Sequence, residues 1–343
     1  MSQIYYDDDA DLGALSGRTL AVVGYGNQGR SQALNLRDSG LQVIVGNIRD
    51  SSLERARADG FEALPISDAC ARADVILLLV PDEVMPEVYR KQVESHLMPD
   101  DVLDFASGYN VAFGLITLTD FVDVVLVAPR MIGPGVRDTY VSGEGFPSFV
   151  GVHQDPSGKA KRRMLALARG IGSTRAGCIE MSMHDEASLD LFTEQGFGPA
   201  FGNVMMAAVD TLVEAGYPPE AVLLELFLSG ELAYTFGKIR EVGMLKQMDF
   251  HSRTSQYGSM TRGARFMELV PRLKEKMKES LEEIRSGRFS EEWSTNQEDK
   301  LALLERLKEA RGQIPFAEYE RRARSAFRIG EAADGSEGSS SDE

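Results

Sequence analysis

The stretch TLAVVGYGNQGRSQALNL, residues 19–36, sets a β-branched run against three glycines spaced GxGxxG and then an amphipathic segment. Glycines in this spacing permit a tight turn and a close approach of the backbone to a ligand. The amides at the start of the helix that follows attract a diphosphate. The next β-branched run, LQVIVG at 41–46, falls where a βαβ unit requires it. The pattern therefore predicts dinucleotide binding through Gly24, Tyr25, Gly26, Asn27, Gln28 and Gly29, against the plainer reading of a glycine-rich turn. The second strand ends Gly46-Asn47 rather than in the acid that would hold a free ribose 2′-hydroxyl. Arg49, Ser51 and Ser52 suit a 2′-phosphate and predict NADPH, while Asp50 would repel one and keeps NADH as the alternative. Asp50, Ser51 and Ser52 also read as a cap for the helix SSLERARADG, and both readings can hold together.

Working outward, short apolar runs alternate with amphipathic stretches: VILLLV, VLDFA, DVVLVAP and FPSFVGV follow in turn. This alternation predicts an α/β domain over 17–157, a parallel sheet with helices on both faces of the Rossmann type. Ligands in such sheets lie outside the carboxyl ends of the strands. Pro81, Asp82 and Glu83, and the loops FASGYN and APRMIGPG with Gly133, are accordingly expected to face the nicotinamide. From about Lys159 helical periodicity takes over, predicting an all-α domain over 158–328. An acidic segment at 1–16 and an acidic tail at 329–343, ending GEAADGSEGSSSDE, flank the two; the tail is expected to be disordered.

The chain has 343 residues, 43% of them hydrophobic and 26% charged, enough for two domains with separate cores. Its net charge of −16 is concentrated at the ends, and no basic stripe is available to neutralise phosphates, so a nucleic-acid partner is not expected. Cys70 and Cys178 lack any disulfide or zinc spacing. The start MSQIYYDDDADL is acidic where a signal peptide would be basic, and VILLLV is far short of a membrane span. Together these point to a cytoplasmic protein.

One helical segment is anomalous. In EASLDLFTEQGF, residues 186–197, Asp190 and Glu194 sit four apart among apolar neighbours. A like-charged pair at that spacing destabilises a helix unless a cation compensates it. A second segment, EAVLLELFLSGEL, places Glu225 in an almost wholly apolar run, where an unpaired carboxylate would be costly to bury. Both are readable as a solvated face or as ligands for a hard cation such as Mg2+, since no His accompanies them.

These segments, with GYGNQGRSQALNLRDSG, LLVPDEVMPEVY, FASGYNVAFG, VHQDPSGKAKRRMLALARGIGSTRAG, LVEAGYPPEA and EIRSGRFSEEW, resemble the short class of ketol-acid reductoisomerases. The resemblance covers nearly the whole chain. It implies a Rossmann domain, a knotted helical domain that interlocks in a homodimer, and two Mg2+ ions. In that family an alkyl group of an acetohydroxy acid migrates and NADPH then reduces the resulting 2-oxo acid. Asp190, Glu194 and Glu225 match metal ligands, and Ser252 matches a substrate-contacting serine. Elsewhere the chain departs from the pattern: Ser107 stands for a His, Arg130 for a Lys, Ser229 for a metal-binding Glu, and Arg253 for an Asn. Arg130 and Arg253 could orient a carboxylate with their planar forks. The departures suggest an NADPH-dependent reductase of a 2-oxo or imino acid that has set alkyl migration aside, with Ser107, Arg130, Asp190 and Glu194 as its catalytic set. The alternatives are a genuine ketol-acid reductoisomerase and a non-catalytic NADPH-binding relative.

Overall fold

In a computed structural model, which describes residues 3–330, the first unit of the chain is built on one nine-stranded sheet. The strands are β1 (Ile4–Tyr5), β2 (Thr19–Val23), β3 (Gln42–Gly46), β4 (Glu62–Leu64), β5 (Val75–Leu78), β6 (Val102–Phe105), β7 (Asp123–Pro129), β8 (Ser148–Gln154) and β9 (Cys178–Glu180), in the order β1-β9-β8-β7-β6-β5-β2-β3-β4. The six apolar runs read as strands in the sequence form β2, β3, β5, β6, β7 and β8. From β4 through β7 the sheet is parallel. It is not parallel throughout, because β7 pairs antiparallel with β8 and β1 antiparallel with β9.

The side-chain period of two divides the strands between two cores. Leu20, Val22, Val75, Leu77, Val102, Val125 and Val127 face one, which the helices Asn27–Asp38 and Ala160–Ile171 cover. Val23, Ile76, Leu78, Leu103, Phe105, Val124 and Leu126 face the other, beneath Met85, Tyr89 and Val93. Both faces are thus buried, as a parallel sheet requires. Asp104 lies on the first of these faces, sharing it with Val102.

The first compact unit closes at Asp190 and the second opens at Leu191. The boundary expected at 157/158 therefore falls inside the sheet unit. The short strand β9 follows the helix Ala160–Ile171 and returns to pair with β8, and three residues carry too little periodicity to be seen in sequence. Among the described residues no strand follows β9, and the second unit is helical. No described helix is long and apolar enough to cross a membrane. The second unit has a small core around Val209, Val222, Leu223 and Ala323. Many of its large apolar side chains are exposed, among them Tyr234, Leu245, Phe250, Tyr257, Phe266 and Met267. Of the predicted acidic tail, residues 331–343 lie outside the described residues.

Candidate active site

The strand order reverses on either side of β2: the chain proceeds outward to β3 and β4, then returns to β5 on the other flank. Such a switch point leaves a crevice at the carboxyl ends, and the glycine loop lies there. Gly24 has φ +96°, and a Cβ on it would meet the Leu79 carbonyl oxygen at 2.6 Å. A Cβ on Gly29 would fall 1.9 Å from the Gly24 carbonyl oxygen, so helix Asn27–Asp38 rests directly on the loop. At Gly26 the same construction meets nothing within 4 Å. The turn and the packing are fixed, and the middle glycine faces open space of the kind a diphosphate needs.

Two further loops tie into this cradle. The Gln28 amide donates to the Met131 carbonyl at 2.9 Å, and Gly133 lies so close that a Cβ would come within 2.3 Å of the Asn27 carbonyl oxygen. On the other side the Tyr25 backbone N–H donates to Asn47 Oδ1 at 3.1 Å. The Asn47 amide in turn donates to Asp50 Oδ1 at 2.8 Å. That oxygen also caps helix Ser51–Ala58, accepting from the amides of Ser52 and Leu53. Asp50 is thus a helix cap, as one reading of the sequence had it, while Arg49 and Ser51 are exposed beside it and Ser52 is half-buried. Tyr25 is buried, its hydroxyl donating to Asp59 at 2.9 Å, so its side chain supports the loop and only its backbone borders the crevice. After β5, Asp82 is held by the Asn110 amide at 3.0 Å.

The ends of β6 and β7 carry a second cluster. Arg130 follows β7 directly. Its Nη1 donates to Asp190 Oδ1 at 2.7 Å and its Nη2 to Glu186 Oε1 at 2.8 Å. The guanidinium also lies over the Phe149 ring, 4.8 Å from its centroid, a cation–π distance. Phe149 reaches it because the antiparallel register sets Phe149 beside Ala128. Glu186 is fully buried, and its second oxygen accepts from the Gly108 N–H at 2.7 Å. Burial pushes its carboxyl up to about 7, against the opposing pull of the Gly108 amide and the Arg130 charge. Ser107 adjoins this contact, its hydroxyl accepting from the Tyr109 N–H at 3.3 Å.

Glu186 was not among the residues picked out from the sequence. The signal was present, because Glu186 and Asp190 are also four apart on helix Met183–Phe192, and the compensating cation that such a pair demands is Arg130. Asp190 closes the first unit with its side chain 44% exposed. Glu194 and Glu225 belong to the second unit, each within a π-helical turn, Thr193–Phe197 and Leu224–Leu228. Glu225 is exposed rather than enclosed by its apolar neighbours. Ser229 follows as the cap of that turn. Ser252 caps helix Arg253–Gly263, its hydroxyl accepting from the Ser255 N–H at 3.2 Å, and Arg253 is exposed. Among the described residues no three His, Cys, Asp or Glu side chains gather as a metal cluster.

Residues 14–177 match the acetohydroxy acid isomeroreductase NADPH-binding domain, and residues 183–329 match the ketol-acid reductoisomerase C-terminal domain. The chain belongs to the ketol-acid reductoisomerase family. It is 44% identical over 314 residues to the ketol-acid reductoisomerase (NADP(+)) of Methanopyrus kandleri, covering 90% of this chain and 93% of that one. With the enzyme of the same name from Petrotoga mobilis the identity is 41% over 333 residues, covering 93% and 100%. The solved structure of an NADH-preferring ketol-acid reductoisomerase from an uncultured archean aligns with a TM-score of 0.88 at 34% identity, covering 94% of this chain and 98% of that one. As a member of this family the chain is an oxidoreductase, and its glycine cradle belongs to the family's nucleotide-binding domain. Similarity of this extent, through both units, favours the family's own reaction over the diverged reduction inferred from individual substitutions.

Proposed function

We propose that this protein is a ketol-acid reductoisomerase that converts 2-acetolactate to 2,3-dihydroxyisovalerate with NADPH. The carrying observation is that the glycine cradle and the Arg130–Glu186 cluster sit at strand ends of one sheet, in a chain 44% identical over 314 residues to an enzyme of that name. In the first half of the reaction the methyl group on C2 moves to C3. The C2 hydroxyl loses its proton and becomes an oxo group, and the C3 oxygen gains one. In the second half C2 accepts a hydride and its oxygen a proton. Bound NADPH supplies the hydride.

The chain's own residues then have separable tasks. Gly24, Gly26 and Gly29 shape the diphosphate cradle, with Gln28 and Gly133 closing its flank. Asn47 fixes the ribose loop, and exposed Arg49 with Ser51 and Ser52 supports a 2′-phosphate over a free hydroxyl. Arg130 places permanent positive charge where oxygen anions develop. Glu186, fully buried with one oxygen accepting from Arg130 and the other from the Gly108 amide, holds the arginine in place. A half-exposed Asp190 is a hard oxygen donor of the kind Mg2+ takes, and an ion held there would supply Lewis-acid polarisation; Glu194 and Glu225 are proposed as further ligands on the family resemblance alone. Ser107, Ser252 and Arg253 are assigned to substrate positioning. The exposed apolar side chains of the second unit support association with a second copy of the chain.

The engagement of Asp190 by Arg130, together with Ser229 and Ser107, favours a second reading: reduction of a 2-oxo acid without migration. Incubation with NADPH, Mg2+ and 2-acetolactate, with products followed by NMR, separates the two. Formation of 2,3-dihydroxyisovalerate at an ordinary enzymatic rate, on the order of 1 to 1000 per second, is expected. If only the already rearranged 3-hydroxy-3-methyl-2-oxobutyrate consumes NADPH, the second reading replaces the first. Consumption of neither would defeat both.

A further inference from the structure

Arg130 is anchored more firmly than an exposed ion pair requires. One arm of its fork is fixed by Glu186, which is fully buried and itself pinned by the Gly108 amide at 2.7 Å. The plane is stacked on Phe149. The second arm reaches Asp190, whose carboxylate is partly open to solvent. Breaking the contact with Asp190 leaves the guanidinium in place, because the other anchors do not depend on it. A divalent ion approaching Asp190 would therefore meet a fixed positive charge a few ångströms away that cannot swing clear.

We propose that Arg130 is a resident cation at Asp190, whose contact a divalent ion must break while the guanidinium stays where Glu186 and Phe149 hold it, so that metal binding at this carboxylate is weak in the substrate-free protein. This rests on the reading of Asp190 as a metal-binding carboxylate. A planar fork serves both carboxylates at once, and its charge is permanent. A lysine in its place, with a single ammonium on a flexible stem, keeps the charge that Glu186 needs and can release Asp190. Arg130 would on this account set how tightly the metal is held before substrate arrives.

The test is a Mn2+ titration of the full chain without substrate, with free Mn2+ read from its EPR signal. Arg130→Lys is expected to bind Mn2+ at least about tenfold more tightly than the parent protein, since the charge-assisted hydrogen bond to Asp190 that the lysine can give up is worth at least that factor. Asp190→Asn added to Arg130→Lys should abolish the gain. Equal affinity of the parent and Arg130→Lys within a factor of two, or a gain that survives Asp190→Asn, overturns the proposal. Arg130→Met combined with Glu186→Gln, which leaves no buried charge unpaired, gives the same comparison should Arg130→Lys fold poorly. Because no turnover enters the measurement, absence of reductoisomerase activity would refute the proposed function without touching this result.

Discussion

Changing Asp104 to Asn alters one buried atom type and leaves the shape of the side chain almost unchanged. Asp104 lies in β6 between Leu77 of β5 and Val125 of β7, is fully buried, and neither of its carboxyl oxygens has a partner in hydrogen-bonding geometry. Burial raises its carboxyl well above the ordinary carboxylate range, with only the backbone of Val127 drawing it down. The folded protein consequently keeps a proton that the unfolded chain gives up at about pH 3.9. Its contribution is fully present below that pH, and stability falls as pH rises towards the folded group's own ionisation. The slope is about 1.4 kcal/mol per pH unit over the window in which only the unfolded chain is ionised. Asparagine cannot ionise and has no such slope, although its unpaired amide donors cost about 1 to 3 kcal/mol at every pH. Every other titrating group is shared and cancels in the difference. Urea denaturation from pH 4.5 upward should show Asp104→Asn the less stable form at the acid end and gaining steadily on the parent as pH rises. Parallel stability curves for the two proteins would refute the reasoning.

The glycine loop predicts opposite outcomes for adjacent substitutions. Gly26→Ala meets no atom within 4 Å, so the protein should melt as before while NADPH affinity, read by fluorescence titration, falls by tenfold or more. Gly29→Ala drives a Cβ to 1.9 Å from a backbone oxygen and should lower stability by about 1 to 3 kcal/mol in a thermal melt, before any cofactor is added. Burial pushes the thiols of Cys70 and Cys178 up to about 12. At pH 8 both should resist iodoacetamide in the native protein and react once it is denatured, as mass spectrometry of the labelled chain would show.

The sheet was readable where residues are buried on both faces, because VILLLV, DVVLVAP and their like have no other use for so many β-branched side chains. Strands β1, β4 and β9 have two or three residues each, too few to show a period, and they took the domain boundary with them. Of the site, the glycine cradle was legible because the GxGxxG spacing falls between a strand and a helix with the next strand where a βαβ unit requires it. The Arg130 fork was legible only in part. Asp190 was singled out by its four-residue spacing to Glu194, but Glu186, the same distance away on the other side, was passed over, since nothing local says that it turns towards Arg130. That is decided by the Gly108 amide and the end of β7, which are 78 and 56 residues away from Glu186 in the chain. Asp104 escaped notice because a single acid in VLDFA is indistinguishable from the polar half of an alternating strand.

Gly133 has a consequence for how this protein can vary. The backbone of the segment that carries Arg130 onward from β7 touches the Asn27 carbonyl with no room for a methyl group between them. Any side chain at 133 would wedge the nucleotide loop and the arginine loop apart by the width of one carbon. The two loops therefore cannot shift independently at this point, and a substitution that moves one must either spare this contact or arrive together with a compensating shift in the other.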